Sequence, residues 1–172
     1  RPTSSMVRES VFNIVQLTEE GTIFYSGETR FLDLFAGSGI MVLEALSRGA
    51  GEVVLVEKNP QAIRCIRQNL SIIAEQDKIR LITGDSLKVL DRFAENSFNF
   101  IYIDPPYKSG LYIPVLQKIR DNQILAKDGV IVLEYASSVD MSEVVAVAEK
   151  CGFEVYKTKT YGDTGLMVCK QA

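Results

Sequence analysis

Short hydrophobic runs alternate with amphipathic segments along most of the chain. Five runs predict buried strands because they are short, apolar and bounded by polar or glycine positions, and they lie at 31–35, 52–57, 79–83, 98–103 and 130–135. The segments between them repeat apolar residues with a helical period. They predict helices from the glycine turn at 37–39 to about Arg48, from Pro60 onward, and at 86–94, 111–121 and 142–150.

The helix that begins at Pro60 has a clear start signal. Asn59 can cap the helix with its side chain, and a proline is favoured in the first turn. The apolar positions predict an inner face made of Ile63, Ile66, Leu70 and Ile73.

The two ends of the chain depart from this alternation. Residues 5–16 predict an N-terminal helix with Val7, Val11, Phe12 and Val15 on one face, capped by Ser4 or Ser5. Residues 17–29 are polar and predict a loop. At the other end, 153–161 and 165–170 are joined by a Gly-Asp-Thr turn and predict an antiparallel hairpin.

Repeated strand–helix units predict a parallel sheet with helices on both faces. Right-handed crossovers then give a doubly wound α/β fold of seven strands, mostly parallel, with the antiparallel hairpin at its C-terminal end. In such folds ligands bind beyond the carboxyl ends of the strands. Residues 1–172 are predicted to form a single domain.

The composition is that of an ordinary globular domain, with 47% hydrophobic and 24% charged residues. No apolar run is long enough to span a bilayer, and no signal peptide is visible, so we expect a cytoplasmic protein without a membrane partner. The chain starts at Arg1 and not at Met, so we expect that residues of the natural N-terminus precede it. The net charge of −3 weighs against nucleic-acid binding, although local basic patches can override the total.

The cysteine and histidine content excludes several kinds of chemistry. Cys65, Cys151 and Cys169 are far apart, and we expect three buried thiols in a reducing cytosol, with neither disulfides nor a metal site. The chain has no histidine, so a Ser-His or Cys-His catalytic pair is excluded.

The first candidate site lies where the first strand meets its helix, in Asp33-Leu34-Phe35-Ala36-Gly37-Ser38-Gly39. Glycines there permit close approach of a ligand to free N–H groups at the helix start, and a simple tight strand-to-helix turn is the alternative interpretation. A dinucleotide fingerprint would need Gly or Ala where Val42 stands. Asp33 would repel a phosphate but can receive an amino group, which favours S-adenosylmethionine.

Carboxylates also follow the second and third strands. Glu57 stands about twenty residues beyond the glycines, where a carboxylate can accept hydrogen bonds from ribose hydroxyls, or is simply a solvated charge. Asp85, which precedes Ser86, can accept from an adenine amino group or cap the next helix. All these strand ends share one edge of the predicted sheet.

The most specific motif is Asp104-Pro105-Pro106-Tyr107, directly after the fourth strand. Each proline forces the preceding residue into an extended shape, which leaves the Asp104 carboxylate and the Pro105 carbonyl as two acceptors for one planar amino group. Tyr107 can stack on the attached base, a contact worth about 1–3 kcal/mol. The motif predicts that a nucleobase amine is oriented for methyl transfer.

At this point a family resemblance is clear. The segments RPTSSMVRESVFNIV, FLDLFAGSGIMVLEALSRGA, VVLVEKN, DPPY and YGDTGLMVCK together resemble the bacterial 16S ribosomal RNA (guanine-N2)-methyltransferase family. The resemblance extends from Arg1 to about Lys170. The family usually carries a short basic β segment before RPT, so this sequence resembles an N-terminally truncated member.

The resemblance implies a Rossmann-like methyltransferase sheet and assigns roles to three groups of residues. The cofactor S-adenosyl-L-methionine, which leaves as S-adenosyl-L-homocysteine, would be bound by Asp33, Phe35, Gly37, Gly39, Glu57, Asp85 and Ser86. The target guanine would be bound by Asp104, Pro105, Pro106 and Tyr107. The RNA would be contacted by Arg1, Thr3 and Arg8.

The implied substrate is 16S ribosomal RNA, within small-subunit particles, and the implied enzyme is a monomer. An adenine-N6 DNA methyltransferase shares the Asp104–Tyr107 motif but normally needs a target-recognition domain, for which the chain has no spare segment. A non-catalytic ribosome-assembly protein that binds RNA is a further alternative. A small-molecule methyltransferase would be favoured by a large lid insertion, which the sequence does not contain.

Overall fold

The structure is a computed structural model that describes residues 4–16 and 27–172. The helices are α1 (Ser5–Gln16), α2 (Ile40–Ser47), α3 (Pro60–Leu70), α4 (Ser86–Val89), α5 (Tyr112–Asp121) and α6 (Ser142–Lys150). The strands are β1 (Arg30–Asp33), β2 (Glu52–Glu57), β3 (Ile79–Thr83), β4 (Phe98–Ile103), β5 (Leu125–Ala136), β6 (Phe153–Tyr161) and β7 (Thr164–Gln171). Short 3₁₀ turns occupy Gln76–Lys78 and Leu90–Arg92.

The strands form one seven-stranded sheet in the order β3-β2-β1-β4-β5-β7-β6. Strands β1 to β5 pair in parallel, and β7 runs antiparallel to both β5 and β6. The predicted doubly wound sheet, mostly parallel with an antiparallel C-terminal hairpin, is therefore confirmed. Strand β1 lies between β2 and β4, so the chain order reverses there and opens a crevice at the carboxyl ends of β1 and β4.

Two hydrophobic layers cover the faces of the sheet. One joins the sheet to α1, α2 and α3, and the other joins it to α4, α5 and α6. In the first layer Phe12 of α1 lies 5.9 Å from Phe31 and 5.6 Å from Phe100, measured between ring centroids. Val7 N–H donates to Ser4 Oγ at 3.2 Å, so Ser4 is the cap that the sequence predicted for this helix.

The predicted strands need two corrections. Strand β1 ends at Asp33, two residues earlier than predicted, because the chain turns at Leu34 and Phe35 towards the glycines. Strand β5 begins at Leu125 and is longer than predicted, since Leu125 pairs with Phe98 before a register shift and the pairing resumes at Val130. The polar residues of that irregular stretch interrupt the hydrophobic pattern and conceal the start of the strand.

Two further expectations were wrong. Ile73 lies beyond α3, which ends at Leu70, so Ile73 packs on the core from the following turn. Cys151 and Cys169 are buried free thiols as expected, but Cys65 is exposed on the outer face of α3. Most of the loop predicted at 17–29 falls outside the described residues. None of the described helices has the length and apolar character needed to cross a membrane.

Candidate active site

The carboxyl ends of β1 and β4 place two carboxyl groups side by side. Asp33 ends β1 and pairs in register with Tyr102, two residues before Asp104. Asp33 is only 2% exposed, and its Oδ1 accepts a hydrogen bond from Phe35 N–H at 3.2 Å. Burial raises the pKa of Asp33 to about 7, and the nearby Glu57 adds to the rise. A cationic group placed here would stabilise the ionised form of Asp33.

The turn after β1 is built on left-handed glycines. Gly37 has φ 57° and Gly39 has φ 82°. A Cβ on Gly39 would lie 3.4 Å from Leu55 Cδ2, so Gly39 packs tightly against the sheet. A Cβ on Gly37 would meet no atom within 4 Å, so this part of the turn faces open space. The geometry lets a ligand approach the backbone at Gly37 and the start of α2.

Glu57, at the end of β2, is held by backbone donors. Its Oε1 accepts from Gly37 N–H at 2.9 Å, while Oε2 accepts from Lys58 N–H at 2.9 Å and Asn59 N–H at 3.0 Å. A carboxylate has about four acceptor positions, so these bonds leave room for about one more donor. Accepting from two ribose hydroxyls at once would require Glu57 to release one of these three backbone donors.

The residues after β3 have structural contacts of their own. Asp85 caps α4 through a 3.0 Å bond from Leu87 N–H to its Oδ1, which is the alternative that the sequence left open. The buried Ser86 hydroxyl donates to the carbonyl of Leu34 and ties this loop to the end of β1. The side chain of Phe35 packs against the core beside the same loop. These contacts are compatible with a ligand site nearby but do not by themselves require one.

The Asp104–Tyr107 segment leaves β4 at the centre of the crevice. Burial raises the pKa of Asp104 to about 8, with further contributions from Glu134 and Asp33. Pro105 is buried and Pro106 is exposed. The side chain of Tyr107 is 71% exposed, and Lys108 Nζ lies 5.4 Å from the centre of its ring. The segment therefore combines the partly buried carboxyl group of Asp104 with an exposed aromatic surface.

Of the three residues predicted to contact RNA, Arg8 lies among the described residues. Arg1 and Thr3 lie outside the described residues. Arg8 is half-buried on α1, and its Nε lies 3.8 Å from a carboxylate oxygen of Glu44 on α2. Its charge is therefore directed in part to a neighbouring helix.

The sequence interpretation missed a group of buried polar residues around Asp104. Glu134 on β5 is buried, and its Oε1 accepts a hydrogen bond from the hydroxyl of Tyr102 on β4. The hydroxyl of Tyr112, at the start of α5, donates to the backbone carbonyl of Glu134 at 2.6 Å. A glutamate near the carboxyl end of an otherwise apolar strand was the available signal, because it lies at the same edge as Asp33 and Asp104.

Comparison with known proteins gives a consistent result. The family model described as conserved hypothetical protein 95 matches residues 1–170. "Putative rRNA methyltransferase YlbH" of Bacillus subtilis is 35% identical over 99% of this chain and 88% of its own length. Ribosomal RNA small subunit methyltransferase D of Escherichia coli K12 is 27% identical over 95% of this chain and 82% of its own.

Solved structures agree with these sequence relatives. A conserved hypothetical protein from Streptococcus pyogenes superposes with a TM-score of 0.81 at 28% identity, covering 96% of each chain. The chain therefore belongs to the conserved hypothetical protein 95 family, and its relatives are Rossmann-like methyltransferases that include bacterial enzymes named for small-subunit ribosomal RNA.

Proposed function

We propose that this protein transfers a methyl group from S-adenosyl-L-methionine to the exocyclic N2 amine of a guanine in 16S ribosomal RNA. The observation that carries the proposal is the placement of Asp33 and Asp104 at the switch point of the sheet, where the charge of Asp33 raises the electrostatic cost of ionising Asp104. One is the predicted contact for the methyl donor, and the other is the predicted contact for the acceptor amine. The proximity of these two contacts supports methyl transfer from the donor to the amine.

The residues after β1 and β2 fit the proposed cofactor. Asp33 is a buried carboxyl group in need of a positive partner, and the amino group of the cofactor supplies one. Gly37 leaves open space beside the backbone, and Glu57 retains an acceptor position for a ribose hydroxyl. Phe35 and Gly39 shape the turn, while Asp85 and Ser86 border the proposed adenine position. The cofactor, when bound, supplies an activated methyl group on a sulfonium.

The segment after β4 fits the proposed acceptor. Asp104 and the carbonyl of Pro105 would accept the two N–H groups of the guanine amine, which directs the nitrogen lone pair away from the ring plane. Pro106 keeps Pro105 extended. Tyr107 is exposed enough to receive an extruded base on its ring, so the target is brought to the chemistry by stacking.

The names of the relatives support RNA as the substrate class. We further propose that the protein acts on small-subunit particles in the cytoplasm as a monomer, with Arg1, Thr3 and Arg8 near the RNA. Because the net charge is −3, this RNA contact must depend on local basic residues and not on the overall charge.

A labelling experiment tests this proposal. Methyl-labelled S-adenosylmethionine is offered with three acceptors, namely unmodified small-subunit particles, naked 16S RNA and duplex DNA, and the labelled nucleoside is identified after digestion. We expect N2-methylguanosine in RNA. Label in N6-methyladenine of DNA would replace the proposal by the DNA alternative.

The Asp104→Ala variant distinguishes catalysis from binding alone. We expect it to lose methyl transfer while RNA binding is retained, with Asp91→Asn as the control because Asp91 is an exposed carboxylate paired with Lys118. No label from the unaltered protein on any acceptor, with RNA still bound, would favour a non-catalytic assembly role.

A further inference from the structure

Glu134 is a buried carboxyl group beside Asp104 that the proposed reaction has not used. Ile103 pairs with Leu133 in the parallel register of β4 and β5, so the residues that follow them, Asp104 and Glu134 respectively, are neighbours. Their carboxyl groups are within hydrogen-bonding reach of each other, and this contact helps to raise the pKa of Asp104. The Tyr102 hydroxyl holds Oε1 of Glu134 from the same strand that carries Asp104.

A hydrogen bond between two carboxyl groups requires a proton, because an ionised carboxylate is only an acceptor. Burial and the charges of Glu134 and Asp33 all disfavour the ionisation of Asp104, and they raise its pKa to about 8. We therefore expect the pair to retain one proton at neutral pH, with a titration that belongs to both residues together.

The surroundings of the pair come from several elements. Asp33 faces it from β1, with Glu57 behind Asp33. Tyr102 on β4 and Tyr112 on α5 are neutral donors, and burial raises the pKa of both hydroxyls. Tyr135 is the residue after Glu134 on β5, and it contributes to raising the pKa of the Tyr112 hydroxyl.

Given the methyltransferase function proposed above, we propose that Glu134 is a positioning residue that, held by Tyr102, shares one proton with Asp104 and leaves the other Asp104 oxygen for the target amine. One Asp104 oxygen is fixed by the shared proton, and the carboxyl plane is fixed with it. When the methylated nitrogen loses its proton, the pair can take it up, passing from one proton to two and from a charge of −1 to 0. That proton then leaves to solvent.

Glu134→Gln tests the shared proton. The glutamine amide donates to Asp104 permanently and accepts from Tyr102 with its carbonyl, so it mimics protonated Glu134. We expect the unaltered enzyme to lose activity as the pH rises through about 8 and the shared proton is lost. We expect Glu134→Gln to keep its activity at pH 7 within about threefold and to lack this alkaline decline, while Glu134→Ala lowers kcat about tenfold to a hundredfold with little change in cofactor KM.

A second measurement does not depend on activity. Carbon-13 NMR of labelled aspartate carboxyls in the free protein, with Asp104→Asn as the assignment control, should show the Asp104 titration near pH 8 moving to lower pH in Glu134→Gln. If the titration moves but no RNA is methylated, the proton shared by Asp104 and Glu134 is supported and the proposed function is refuted. If RNA is methylated but Glu134→Gln is inactive, or keeps the alkaline decline, the role of Glu134 is overturned.

Discussion

The charge of Asp33 should make the free protein less stable at neutral and alkaline pH. Asp33→Asn removes this charge while keeping the size of the side chain and an oxygen that can accept from Phe35 N–H. In the folded protein, burial raises the pKa of Asp33 from its ordinary 3.8 to about 7. The folded state thus binds this proton more tightly than the unfolded chain does.

The sign and size of the effect follow from this difference. For a carboxyl whose pKa is raised by folding, stability is fully present below the unfolded pKa and falls as the pH rises to the folded pKa, here between about 4 and 7. At about 1.36 kcal/mol per pH unit the full difference corresponds to roughly 4 kcal/mol, which local relaxation lowers. We expect Asp33→Asn to gain about 2–4 kcal/mol of unfolding free energy at pH 8 and to match the unaltered protein near pH 4.

The assay is urea unfolding of both proteins across this pH range, combined with titration calorimetry of S-adenosylmethionine. Because Asp33 is the proposed contact for the amino group of the cofactor, the more stable variant should bind the cofactor more weakly. Asp91→Asn is the control, since its carboxylate is exposed and should give no gain at pH 8. Equal stability of Asp33→Asn and the unaltered protein at pH 8 would refute the burial argument, and unchanged affinity would refute the cofactor assignment.

Four further variants, at three positions, separate packing, capping and substrate contact. Phe12→Ala empties a fully buried position against Phe31 and Phe100 and should cost about 3–5 kcal/mol in urea unfolding. Asp85→Ala should cost about 1 kcal/mol through loss of the α4 cap, whereas Asp85→Asn keeps an oxygen for the cap, so calorimetry on Asp85→Asn measures the cofactor contact alone. Tyr107→Ala should slow methyl transfer about tenfold to a hundredfold through lost stacking, with cofactor affinity unchanged; a large loss of cofactor binding would assign Tyr107 to the cofactor instead.

The hydrophobic pattern was sufficient for most of the architecture. Strands β2, β3 and β4 were predicted with their observed limits because each is an apolar run bounded by polar residues or glycine. Such runs have few ways to bury themselves other than in a sheet covered on both faces. The pattern failed where Lys127 and Asp128 interrupt β5, since a bulge allows polar residues inside a strand that the pattern cannot identify.

The candidate site was predicted in part because its motifs are local. Asp33 with its glycines, and Asp104 with its prolines, are each contained in a few consecutive residues whose backbone preferences can be derived from their chemistry. The position of both at the carboxyl edge of a parallel sheet follows from the alternation of strands and helices.

Only the tertiary structure decided which of these residues act on one another. Glu134 is thirty residues from Asp104 in the sequence, and the two meet because β5 is placed beside β4 in the strand order. The backbone bonds that hold Glu57, and the raised pKa values of Asp33 and Asp104, likewise depend on burial and on neighbours from distant segments. Local sequence determines the backbone conformation of each motif, whereas ionisation is set by the dielectric surroundings and by charges that only the folded chain brings together.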